Sequence, residues 1–189
     1  MRRRGLGASL AFLLATWVAA AAIQNGDFSA GLHFWKASWN VTVSSGEAAL
    51  SDTGANHAFL FQAAAIPPGV YTVEFDFKSA LSAVVPAGAF RDSFYASLYS
   101  VNALSDFVLE QDSFDAAQGL LDLDSAGPFN VHGTLGASSK SAAWSHYTGI
   151  FTNSYSNVVA VFELYDLNTI AGDSSVGIDN VQITPVQVP

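Results

Sequence analysis

Cysteine is absent from the sequence, and its absence excludes disulfides, thiol nucleophiles and thiolate metal ligands. The fold must therefore rest on its core alone. Basic residues are scarce, seven against sixteen acids, and three of the seven are Arg2, Arg3 and Arg4. These precede an apolar run from Leu10 to Val18 and small residues that include Ala20 and Ala22, the order of a secretory signal peptide with its cleavage site. We read residues 1–22 as that leader, place the mature N terminus at Ile23 and expect a secreted, extracellular protein. The apolar run falls short of the roughly 20 residues a membrane span needs, so no stable membrane anchor is expected in the mature chain.

Residues 23–189 retain Lys36, Lys78, Arg91 and Lys140 against all sixteen acids, a formal charge of −12. So acidic a surface repels phosphate backbones and argues against a nucleic-acid partner, while it favours bound cations. The length fits one domain, residues 23–189, large enough to bury a sizeable core.

Helical periodicity is also nearly missing, and what replaces it is alternation of period two. In "YTVEFDFKS", Tyr71, Val73, Phe75 and Phe77 point one way and Thr72, Glu74, Asp76 and Lys78 the other. Comparable runs put Trp39 with Val41 and Val43, Phe59 with Phe61, and Val158 with Ala160, Phe162 and Leu164. "SFYASLYSV" is partly apolar on both sides, as in a strand covered on both faces. Eight or nine strands, separated by turn-forming stretches such as "SSGE", "IPPGV" and "TNSYSN", predict an all-β chain: an antiparallel β-sandwich, with a jelly roll as its topology. Residues 103–143 break the rhythm and read as a long insertion on one end or edge, in which "FDAAQGLLDL" offers a short helical turn and "PFNVHGTLG" a short strand.

Catalytic signatures are missing as well. His33, His57, His132 and His146 stand isolated, with no short zinc spacing and no nucleophile elbow. Glu74 and Asp76, two apart on one strand face, are the nearest approach to a glycosidase carboxylate pair, and solvated acids of this kind are common on sandwiches. The chain is expected not to be an enzyme.

With the strands placed, "NGDFSAGLHFW" at residues 25–35 and "VGIDNVQIT" near the other end take on meaning together. Asn25, Gly26, Phe28, Gly31, Leu32 and Trp35 in the one, and Ile178, Asp179, Asn180 and Val181 in the other, resemble the opening and closing strands of galactose-binding-domain-like jelly rolls. That superfamily includes carbohydrate-binding modules of the family 4, 9 and 22 type. "DSFYASLY", "LLDLDSAGPFNVHG" and "FELYDLN" are more specifically similar to exported bacterial proteins of the PEP-CTERM type. Their C-terminal sorting anchor has no counterpart before Pro189, so release rather than sorting is expected. The resemblance implies an exported, non-catalytic module that binds carbohydrate or extracellular polysaccharide. The alternative is a structural cell-surface or biofilm-matrix protein with no small ligand, and a glycan hydrolase ranks third.

The resemblance also implies one structural Ca2+ between the closing strands, held by Asp179 with Asp27 standing in for the usual acid at Ser29; Asp179 as a strand-end residue bonding backbone amides is the other reading. For the sugar, Trp144, Tyr147, Tyr95 and Tyr99 are the candidate contacts, whereas Trp35 and Trp39 read as core. "DLDSAG", Asp122–Gly127, lacks the later ligands of an EF-hand loop, and "DLNTIAGD" reads as an acidic hairpin loop.

Overall fold

The computed structural model describes residues 23–109, 117–170 and 172–186; the leader at 1–22 lies outside them. Among the described residues, twelve strands form two six-stranded antiparallel sheets packed face to face. They are β1 (Lys36–Ala37), β2 (Val41–Ser44), β3 (Glu47–Ser51), β4 (His57–Ala65), β5 (Gly69–Ala80), β6 (Ser93–Val101), β7 (Ala117–Asp124), β8 (Gly127–Val131), β9 (Thr134–Ala137), β10 (Ser145–Asn153), β11 (Asn157–Tyr165) and β12 (Ser175–Pro185). The first sheet runs β1-β4-β11-β6-β7-β8 and the second β2-β3-β12-β5-β10-β9. The all-β jelly-roll sandwich expected from the alternation is thus present, with more strands than the eight or nine counted from the pattern.

Alternation decides what each strand buries. Tyr71, Val73, Phe75 and Phe77 of β5 are buried, as are Val158, Ala160, Phe162 and Leu164 of β11. Between the sheets Phe75 stacks on Tyr147 with centroids 4.7 Å apart and meets Phe162 edge-on at 5.2 Å, contacts that add to the burial of large rings. The β2–β3 hairpin turns on Ser45 and Gly46, both at positive φ, which matches the twist of two-residue hairpins and needs a residue such as glycine.

The opening stretch departs from expectation. Residues 25–35 form successive turns rather than a strand, with Asn25, Phe28, Gly31 and Phe34 all at positive φ. Asn25 holds them: its side-chain NH2 donates to the carbonyls of Gly31 and His33, its Oδ1 accepts from the Ala30 amide, and its own carbonyl accepts from the Trp35 indole. These turns lie directly against the closing strand. A Cβ on Gly26 would fall 2.0 Å from the Val181 carbonyl oxygen, and the Val181 amide donates to the Gly26 carbonyl. The closing motif is bulged between Asp179 and Gln182, with Asn180 at φ 52°. Such bulges re-aim side chains, and here Asn180 turns its amide to Asp76.

Within 103–143, Leu104–Asp106 is a 3-10 turn, β7 and β8 extend one edge of the first sheet, and β9 forms one edge of the second. The helical turn expected over 114–123 is instead strand from Ala117 onward; residues 110–116 lie outside the described part. Trp39 also differs from expectation: it sits in the turn between β1 and β2, 72% exposed, with its ring lying against Gly54.

Candidate binding face

The outer face of the first sheet carries a group of half-buried aromatic rings side by side. Strand register builds it in transverse rows, because residues paired across an antiparallel ladder point to the same side. One row runs Phe59, Glu163, Tyr95, Asp122 and Asn130 across β4, β11, β6, β7 and β8. At about 4.8 Å per strand it spans roughly 19 Å. The neighbouring row carries His57, Tyr165, Ser93 and Asp124.

Contacts fix these side chains in place. His57 stacks on Tyr165 with centroids 4.3 Å apart and ring planes 13° apart, and Tyr165 meets Tyr95 edge-on at 5.7 Å. Glu163, itself 7% exposed, accepts from the Tyr165 hydroxyl at 2.9 Å and lies 3.1 Å from His57 Nε2. Burial, and then the charge of Asp122, pushes the Tyr95 phenol up. Burial and the neighbouring Asp124 likewise push the Asp122 carboxyl up. Arg91 approaches Asp124 at 3.8 Å.

Toward its other end the face closes. Val159, Val161 and Val101 are buried there beneath Phe107 and Leu109 of the segment that follows β6, and Tyr99 packs edge-on against Phe107 at 5.2 Å. This covering explains why β6 reads as apolar on both sides. A cavity of about 280 Å3 beside it is lined by Phe34, Lys36, Phe61, Leu104, Phe107 and Val159.

The four residues expected to touch sugar separate. Tyr95 and Tyr99 share this outer face, Tyr95 in its open half and Tyr99 under the covering segment. Tyr147 is a correction: it is fully buried between the sheets, its hydroxyl donates to the His132 carbonyl at 2.6 Å, and burial pushes its phenol up to about 12. Trp144 is a second correction. It is buried, with the Lys140 ammonium 4.0 Å and the Lys78 ammonium 5.0 Å from its ring. A ring faced by two cations has no surface left for a pyranose. Alternation cannot distinguish Tyr95 from Tyr147, since each is an aromatic in a strand and only the opposing sheet decides which is enclosed.

The two acids expected to hold calcium both have protein partners. Asp179 forms an ion pair with Lys140 and accepts from the Asn180 amide. Asp27, exposed, accepts from the Ser29 amide and hydroxyl, and these bonds hold its carboxyl below the usual range. The donor set at this pair therefore does not fit a calcium ion, because a lysine ammonium already meets Asp179. Among the described residues, the three acids that converge are Asp52, Asp92 and Asp173, within 4.8 Å of one another. They tie the β3–β4, β5–β6 and β11–β12 loops together. Asp52 accepts from the Gly172 and Ser174 amides, and Asp92 from the Leu167 and Asn168 amides and the Ser174 hydroxyl. Burial pushes Asp52 up to about 6. Glu74 and Asp76 lie on the outer side of the second sheet, where Asp76 is buried and bonded by His146 and Asn180.

No helix among the described residues is long and apolar enough to cross a membrane. No protein-family model matches the sequence. No curated protein matches it either. Solved structures do. The carbohydrate-binding module TmCBM61, solved with β-1,4-galactotriose, superposes with a TM-score of 0.53 and 10% identity, over 89% of this chain and 100% of that one. The enzymatically active domain of tailspike protein 4 of bacteriophage CBA120 gives 0.53 and 15% identity, over 88% of this chain and 21% of that one. A family 4 carbohydrate-binding module reaches only 0.43, at 18% identity over 86% and 84% of the two chains, too distant to single out a family. The likeness at these identities is one of fold, the jelly-roll sandwich on which carbohydrate-binding modules are built.

Proposed function

We propose that the chain is an exported, non-catalytic carbohydrate-binding module that holds an extracellular polysaccharide along the outer face of its first sheet. The observation that carries this reading is the row Phe59, Glu163, Tyr95, Asp122, Asn130, flanked by the His57–Tyr165 stack. Aromatic faces supply apolar area to the C–H side of a pyranose, and the carboxylates and amide beside them accept or donate hydrogen bonds to its hydroxyls. The fold shared with TmCBM61 agrees with that role, and the leader-like residues 1–22 agree with export.

The test is a glycan-array screen of the purified protein beside its Tyr95→Ala variant. Selective binding that weakens roughly thirtyfold in the variant, about 2 kcal/mol for an aromatic anchor, is expected. The matrix-protein reading is favoured by the exposed edge strands β8, with Phe129 85% exposed, and β9, exposed throughout. Silence across the array together with concentration-dependent self-association would replace the first reading by the second.

A further inference from the structure

We infer that the glycan this face is built for is cationic, a polysaccharide whose sugars carry free, protonated amines. The inference rests on the binding role proposed above and names the chemistry of its ligand. Carboxylates stand at two of the five places in the central row, Glu163 on β11 and Asp122 on β7, with the Tyr95 ring between them on β6. Their strands are about 10 Å apart. A third acid, Asp124, follows in the next row.

The cations facing this set are few. From β4 comes His57, already at Glu163; from the loop before β6 comes Arg91, at Asp124; β8 contributes the neutral Asn130. Lys36 belongs to the closed half of the face, where its ammonium lies 5.8 Å from the Phe61 ring. Asp122 has no cation against it among the described residues, although burial already disfavours its charge.

A neutral sugar would leave that charge uncompensated in a site that the ligand itself dries. A uronate would add to it. An ammonium on the sugar answers the Asp122 carboxylate, since Glu163 already meets His57 and Tyr165, and over the Tyr95 ring it gains cation–π attraction as well. The second sheet shows what the fold does elsewhere with the same problem: Lys140 covers Trp144 and meets Asp179. At Asp122 on the first sheet, the equivalent cation is left for the ligand to supply.

The experiment is calorimetric titration of the protein with four hexasaccharides at one ionic strength, just below the pKa of the sugar amine. They are β-1,4-linked glucosamine, its N-acetylated form, cellohexaose and an oligogalacturonate. The glucosamine oligomer is expected to bind at least tenfold tighter than cellohexaose, and the galacturonate not to bind. Asp122→Asn should remove most of that preference while retaining the wild-type melting temperature. Glu74→Gln, which removes one charge from the other sheet, should leave the preference intact and so separate recognition from general attraction of a polycation to an acidic protein. Equal affinity for glucosamine and cellulose oligomers, or a preference that survives Asp122→Asn, overturns the inference and leaves the binding role standing. Absence of binding to all four and to the glycan array overturns both.

Discussion

The two outer faces of the sandwich are built from the same alternation of apolar and polar residues, yet they differ in one charge, Asp122, which meets no cation among the described residues. On the second sheet every prominent acid meets a partner: Asp76 with His146 and Asn180, Asp179 with Lys140, and Glu47 with Lys78. Its one large ring, Trp144, lies under two lysines. On the first sheet Glu163 is met by His57 and Tyr165, and Asp124 by Arg91, but Asp122 faces no cation among the described residues and the rings beside it are half-buried. The lesson is that partnership, more than composition, separates a structural face from a binding face. A charge satisfied inside the chain fixes geometry, and a charge left for a ligand fixes specificity.

The strongest way to break this comparison is to remove one acid from each face. Asp76→Ala should destabilise the protein by about 1–2 kcal/mol, because it removes the buried carboxylate that accepts from the half-buried Asn180 amide and meets His146. Asp122→Ala should change stability by no more than about 0.5 kcal/mol. Urea denaturation of both variants decides the matter, and equal losses would abolish the distinction. Next in size, Trp144→Ala should lower the melting temperature without weakening glycan affinity in the folded fraction, the reverse of the pattern expected for Tyr95→Ala. Lys140→Met should cost about 1–2 kcal/mol by leaving Asp179, 6% exposed, without its cation; added calcium should not restore the loss if the ammonium alone is the partner that matters.

The smallest effect concerns Asp52, at the loop end where the two faces meet. Burial raises its carboxyl from 3.8 to about 6 in the folded protein. Its stabilising contribution is therefore complete below its unfolded value and is lost as pH rises through about 6. The melting temperature should rise by roughly 3 °C on going from about pH 7 to about pH 5. Asp52→Asn should flatten that slope, and a slope unchanged in the variant would assign it to other groups. Asp76, where hydrogen bonds from Asn180 and His146 outweigh burial and lower the carboxyl, weakens the fold only at more acid pH.

The fold was legible because the central strands alternate strictly. "YTVEFDFKS" told its buried and solvated sides apart, and "SSGE" marked a hairpin. The edge strands were legible only in part: "PFNVHGTLG" offered one short strand where β8 and β9 are two, since both bury almost nothing and carry no hydrophobic period. Trp39 misled by its alternation with Val41 and Val43, which implies a shared side only if the chain is extended from Trp39 onward; residues 38–40 turn instead. Of the site, Tyr95 was within reach of the sequence, while Glu163 and Asp122 were not. They become neighbours of Tyr95 only through the register of β11 and β7 against β6, and register over such distances is written in no local motif.

The clamp between Gly26 and Val181 has a mechanical side. It holds the beginning of the described chain beside its final strand, with Gln24 bonded to Gln62 of β4 and the Val186 amide bonded to the Val70 carbonyl at the start of β5. The Val186 end therefore leaves from the pole opposite His57 and Tyr165, while the Gln24 end lies along the middle of β4. A load applied through the Val186 end pulls away from the pole that carries His57 and Tyr165, and the clamp at Gly26 and Val181 ties the other end into the second sheet.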